Sequence, residues 1–232
     1  MNKADSDLPP LTRGRVGVLA GAAVAIYLVL VGVGLALTRT NGLAEVRSEE
    51  RGIINWLVER RTPTWDAVTS VTSAMADTMT VVVGAAVVVV LLRWWLGRWR
   101  ESLVVVFAIL GELAIFMAVT ATIDRERPTV PQLDEAPPTS SFPSGHTAAS
   151  VALYGTLAVL LLLRMVHRRL ALVLAVLLAC VPVVVAVSRL YRGMHYPGDV
   201  TFGALASACW VGVVLFVLLR PRPGARSDQT LA

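Results

Sequence analysis

Charge is scarce in this chain: Asp, Glu, Lys and Arg make up only 16% of its 232 residues, against roughly 25% in a soluble domain. The bilayer rather than water is therefore the expected solvent. Cysteine is scarcer still. Cys180 and Cys209 are the only two, and both fall inside apolar runs, so no disulfide framework is implied. No repeat of fixed period is visible, low complexity is confined to Val/Ala/Leu-rich stretches, and no cluster has metal-ligand spacing. Neither a metal nor a cofactor is expected. The net charge of +5 is informative through its placement, which reads as membrane topology and not as a nucleic-acid surface.

What the chain has in excess is apolar sequence, 56% of all residues. Crossing ~30 Å of hydrocarbon takes roughly 20 apolar residues. Six runs reach that length: 16–38, 66–92, 103–123, 144–163, 170–187 and 200–219. The second opens on a polar stretch. The first follows basic residues, as a secretory signal does. It is longer than the ~7–15-residue core of such a signal, so it is expected to be retained. The expected fold is all-α: a polytopic membrane protein with a six-transmembrane-helix bundle at 16–219, between tails at 1–15 and 220–232.

Basic residues distinguish the two ends of that bundle. Lys3, Arg13, Arg15, Arg93, Arg98, Arg100, Arg164, Arg168, Arg169, Arg220, Arg222 and Arg226 all fall in the tails and two short loops that share one face. Positive charge marks the cytoplasmic side, so both termini are expected there. Trp94, Trp95 and Trp99 then anchor the inner boundary, while Trp56 and Trp65 anchor the outer one. The outer segment 41–64 carries Ile53, Ile54, Leu57 and Val58 on one helical face. It predicts a short helix, either lying in the interface or packed on the bundle. The Pro-rich segment 124–143 predicts an irregular outer loop.

The polar residues at the outer ends of the spans carry the chemistry. Pro143-Ser144-Gly145-His146 precedes an apolar run and predicts a helix start capped by Ser144. Free N–H groups there bind anions, and Gly145 permits close approach. Ser188-Arg189 closes the fifth span, and His195-Tyr196-Pro197-Gly198-Asp199 opens the sixth. Asp199, four residues beyond His195, is spaced to orient its imidazole, as an activated nucleophile or a general base requires. Arg127, followed by Pro128, adds a guanidinium suited to phosphate. Two such arginines with backbone donors would spread around a transferring phosphoryl group. Taken singly, each motif also fits a helix cap or an interfacial charge. Their convergence on one face is what points to phosphoryl transfer.

Arg127-Pro128, Pro143-Ser144-Gly145-His146 and Ser188-Arg189 with His195 and Asp199 together resemble the three-part signature of the type 2 phosphatidic acid phosphatase superfamily. The resemblance spans roughly 103–219. It implies a metal-independent membrane phosphatase acting on a lipid phosphate or diphosphate. His195 would attack phosphorus and form a phosphohistidine, His146 would protonate the leaving oxygen, and Asp199 would orient the nucleophile. Arg127, Ser144, Gly145 and Arg189 would bind the phosphate. One departure stands out: the first motif usually has a lysine seven positions before the arginine, and here that position is Thr120. Arg125, or Arg192, is the expected substitute. The intact histidines and Asp199 argue against a non-catalytic lipid transporter that retains the fold, the reading Thr120 alone would favour. Two intramembrane acids need separate roles. Glu112 is expected in packing, and Asp77, midway along the second span, in a polar seam with Thr78 and Thr80.

Overall fold

A computed structural model describes residues 12–220. Most of the two expected tails, including Lys3, Arg222 and Arg226, lies outside those residues. Nine α-helices run through the described chain: α1 (Arg13–Arg39), α2 (Ala44–Glu59), α3 (Pro63–Ala74), α4 (Thr78–Leu96), α5 (Arg100–Thr120), α6 (Gly145–Ser150), α7 (Thr156–Arg164), α8 (Arg168–Tyr191) and α9 (Pro197–Leu219). A π-helical turn, Val151–Gly155, joins α6 to α7 into one span. Six helical segments are long and apolar enough to cross a membrane: α1, α4, α5, α6–α7, α8 and α9. Helices keep every backbone hydrogen bond within the segment, as hydrocarbon demands.

Helix α5 is the hub of the bundle, packing against α1, α4, α7 and α9. Val104, Val105 and Ala108 on it are fully buried. Gly111 lets α9 approach closely, since a Cβ there would fall 2.0 Å from the Trp210 ring. The Trp210 indole N–H donates to the Phe107 carbonyl at 3.0 Å, so the ring enters the core without an unpaired donor. The outward faces remain apolar, with Leu28, Val87 and Leu177 exposed, as lipid-facing residues are. Glu112 is buried in α5 beside Ser207 and Trp210, lining a cavity of about 10 Å³ beneath Pro143. That position fits the expected packing role.

The second span differs from the expected 66–92. The chain breaks at Met75–Asp77, giving the short α3 and then α4 from Thr78. Thr69, Thr72 and Ser73 make α3 too polar for the hydrocarbon, and α3 packs instead on α8 at one end of the bundle. Asp77 consequently is no mid-span residue. It is the N-cap of α4, with its side chain 55% exposed. Helix α2 forms as expected and also docks on α8. Its Glu50 and Ile54 are buried while Ile53 faces out, so α2 packs on the bundle through one edge of its apolar stripe. The segment 121–144 is an irregular loop at the same end.

Candidate active site

Four pieces of chain meet at that end: the start of α6, the connection from α8 to α9, the loop 121–144, and the break between α3 and α4. Helix α8 stops because Gly193 adopts a left-handed conformation, φ +73°, which glycine alone takes readily. The turn delivers Met194 and His195 inward. His195 is only 3% exposed. Its Nδ1 lies 2.8 Å from the Ser141 carbonyl and 3.8 Å from Asp199 Oδ2. A carbonyl can only accept, so Nδ1 carries the proton and Nε2 keeps its lone pair. Burial lowers the His195 pKa. Asp199 opposes that shift, while Arg189 and Arg127 reinforce it. The lowered pKa favours the neutral imidazole.

Asp199 supports this arrangement more indirectly than its spacing suggests. Its carboxylate accepts from Ser141 Oγ, the Tyr196 N–H and Arg125 Nη1. The contact with Tyr196 caps α9, and the contact with Ser141 fixes the segment whose carbonyl holds His195. Arg125 is not brought to the phosphate-binding side. Its guanidinium bridges Asp199 to Glu50 of α2 and lies over the Tyr196 ring. Glu50 also accepts from the Gly198 N–H at 2.8 Å, so α2 is tied directly to the residues that hold His195.

The groups expected to bind an anion, Arg127, Arg189 and the start of α6, lie at this end of the bundle. The first three N–H groups of α6, at Gly145, His146 and Thr147, have no backbone partner, since Ala148 is the first to bond back to the Ser144 carbonyl. The N–H of Ser144 itself is taken by the Asp199 carbonyl at 3.0 Å, and its hydroxyl meets Thr147 at 3.1 Å. Ser144 therefore places the helix start, with its N–H and its hydroxyl both in contact within the protein. Gly145 has a packing reason as well: a Cβ there would lie 2.9 Å from the Phe116 ring. Arg127 donates to the Met194 carbonyl at 2.9 Å, and Arg189 donates to Ser73 and Asp134 at 2.8 and 2.7 Å. In both arginines the Nε–H is buried and unpartnered. Buried donors without partners carry a desolvation cost, which an arriving oxyanion would remove. Burial lowers the Arg127 pKa, with Asp199 acting in the other direction.

Several residues here escaped the sequence reading. Asp134 bridges Arg189 and Arg192. Burial opposes its ionisation, but the two arginines outweigh this and hold its pKa below the ordinary carboxylate range. Arg192 is thus committed to Asp134, with Asp66 and Thr69 of α3 also accepting from it. It does not substitute for the missing lysine any more than Arg125 does. Gly203 is required where α9 passes the α6 start, since a Cβ would meet the Ser144 carbonyl at 2.8 Å. Asp77 Oδ1 lies 2.9 Å from His146 Nε2. An Asp immediately before a strongly apolar run is a helix-start signal, and it would have located both the break and this partner. Nothing in the sequence around Asp134 marks it.

The model of the PAP2 superfamily matches residues 102–223. The chain belongs to the PAP2 superfamily. The matched region holds α5 from its third residue, all of α6 through α9, and every motif residue. The PAP2 fold here is similar to that in the crystal structure of a transmembrane PAP2 type phosphatidylglycerolphosphate phosphatase from Bacillus subtilis. That match has a TM-score of 0.73 at 20% identity, over 83% of this chain and 93% of the other. It is similar also to Aquifex aeolicus LpxE, with a TM-score of 0.56 at 19% identity, over 71% of this chain and 93% of that one. No curated protein matches the chain. Thr120 turns its hydroxyl back to the Phe116 carbonyl at 3.1 Å, whereas Arg127 and Arg189 each keep an unpartnered Nε–H.

Proposed function

We propose that this protein is an integral membrane phosphatase that hydrolyses the phosphate or diphosphate of a lipid at the extracytoplasmic face. The observation carrying this reading is His195: buried, neutral, fixed in one tautomer, and close to two arginines with unpartnered Nε–H groups. In the first step Nε2 of His195 attacks phosphorus. The bond to the lipid-side oxygen breaks, and that oxygen takes a proton from His146. In the second, water attacks the phosphohistidine and gives its proton to His146. The P–N bond breaks, releasing inorganic phosphate and restoring both imidazoles. Arg127, Arg189 and the free N–H groups of α6 stabilise the charge on the transferring group. Every role falls to a side chain or backbone group of the protein, so the reaction as proposed needs no metal.

Two features support a lipid substrate. An apolar groove of about 540 Å³ opens between α8 and α9 and begins at Thr147 and Val200, the neighbours of His146 and Asp199. Ala186, Ala204 and Ala208 keep it open, and one hydrocarbon chain fits it. The basic residues Arg93, Arg98, Arg164, Arg168 and Arg169 lie at the opposite end of the bundle, which supports a cytoplasmic location for that end. Phosphatidic acid, phosphatidylglycerol phosphate and polyprenyl mono- or diphosphates all meet these requirements.

The test is phosphate release by detergent-purified protein in EDTA, with His195→Ala measured in parallel, over that lipid panel. Release from one lipid class, abolished in the variant, is the expected result. Equal release by the variant would remove His195 from the chemistry. No release from any lipid, with lipid transport intact in both proteins, would replace the enzyme with a transporter.

A further inference from the structure

We infer that Asp77 is a positioning residue for proton donation to the leaving oxygen, holding His146 in a donating orientation from outside the motif-bearing half of the chain. This inference rests on the phosphatase reading above. Asp77 lies outside the residues matched by the family model, and its chemistry follows from geometry alone.

As N-cap of α4, an aspartate would ordinarily accept from the first turn of its own helix. Asp77 makes no such bond. Its carboxylate instead reaches across to His146 Nε2 at 2.9 Å. The other ring nitrogen of His146 has no hydrogen-bond partner among the described residues. One nitrogen is thus held by a carboxylate while the second is left for substrate, the arrangement of an oriented imidazole acid. Asp77 is the anionic group at His146, whose other charged or ionisable neighbours are Arg189 and His195.

The break between α3 and α4 follows the same logic. A continuous span over 66–92 would bury Asp77 in hydrocarbon, whereas the Met75–Asp77 turn presents it at the level of the α6 start. Tyr154, one element further on, donates to the Met75 carbonyl at 2.8 Å and fixes that turn to the span carrying His146.

The prediction concerns the leaving group. Loss of a group that supports the general acid costs about 10- to 100-fold where the leaving oxygen needs a proton. It costs little where it does not. The experiment compares wild type, Asp77→Asn and Asp77→Glu on two substrates: the lipid phosphate that wild type hydrolyses best, and a nitrophenyl phosphate carrying an alkyl tail, whose leaving group departs unprotonated. Expected is a 10- to 100-fold loss in kcat for Asp77→Asn on the lipid, less than about threefold on the nitrophenyl ester, and recovery on the lipid in Asp77→Glu. Equal losses on both substrates, an unchanged rate on the lipid, or a Glu variant as impaired as the Asn one would each overturn the inference. Should Asp77→Asn fail to fold, Asp77→Ser keeps a capping residue and supplies the same comparison. A wild type inactive on every lipid would instead defeat the phosphatase reading itself.

Discussion

Replacing Arg125 by glutamine separates two roles that the sequence alone confounds. In the structure, Arg125 lies between two carboxylates, Glu50 and Asp199, and all three side chains are at most 7% exposed. Removing one partner of a buried ion pair costs about 3–5 kcal/mol, because the charge left behind is uncompensated. Asp199 keeps Ser141 and the Tyr196 N–H, and Glu50 keeps the Gly198 N–H. A polar cavity of about 330 Å³, bordered by Arg47 and Arg51, also gives Glu50 access to water. The lower end, about 3 kcal/mol, is therefore expected. For a chain of this size, each kcal/mol moves the melting temperature by about 2–4 °C, so Arg125→Gln should melt roughly 6–12 °C lower. Tryptophan fluorescence in detergent reads this directly. Kinetics well below the transition should show kcat reduced through the loosened Ser141–His195 contact, with KM within about twofold of wild type. Adding Glu50→Gln should restore part of the lost stability, since the two positions share one network. A variant that melts like wild type but has a raised KM would refute this and return Arg125 to the phosphate.

Three further outcomes follow from the site. Because burial lowers the His195 pKa, activity present with neutral imidazole should persist below the ordinary value of about 6.5 and be lost only as pH falls further; an acid limb of kcat/KM above pH 7 would contradict this. Gly203→Ala should cost about 1–3 kcal/mol by driving a methyl against the Ser144 carbonyl, and unchanged melting would refute that close contact. Thr120→Lys, one turn beyond the Phe116 that packs on Gly145, should gain a charge-assisted hydrogen bond to phosphate of about 1.5–3 kcal/mol, or about 10- to 150-fold in kcat/KM. Unchanged kinetics would mean that Arg127, Arg189 and the backbone donors already suffice.

The spans and the reactive residues were legible because each leaves a local trace. An apolar run of fixed length states a membrane helix, and Pro-Ser-Gly-His or Tyr-Pro-Gly-Asp states a helix start. The failures share a cause. The polar stretch at 66–77 was read as the weak beginning of a span, because a hydropathy window averages over a break of three residues. In the structure, those residues cover the arginines of α8: Ser73 accepts from Arg189 and Thr69 from Arg192. From its charge, Arg125 is the expected stand-in for the lysine missing at Thr120. Its actual partners, 75 residues upstream and 74 downstream, are set by tertiary packing that no local pattern encodes.

That separation has a mechanistic meaning. Three groups of the site are supported by carboxylates, whereas Arg127 is held by the Met194 carbonyl. Asp199 at the start of α9 fixes Ser141 and through it His195, Asp134 in the long loop holds Arg189, and Asp77 at the head of α4 meets His146. Carboxylates crowded around an anion site would repel substrate if they were free. Here those of Asp199 and Asp134 are neutralised by arginines, Arg125 for one and Arg189 with Arg192 for the other. The field left for the phosphoryl group comes from the residual donors: the Nε–H groups of Arg127 and Arg189 and the α6 amides. Such donors act before substrate arrives and need no reorganisation during reaction. The helix ends therefore supply the chemistry, whereas the irregular connections set its strength. Substitutions at the α3–α4 break, and in the loop 121–144 at positions other than Arg127, should accordingly change turnover more than they change lipid binding.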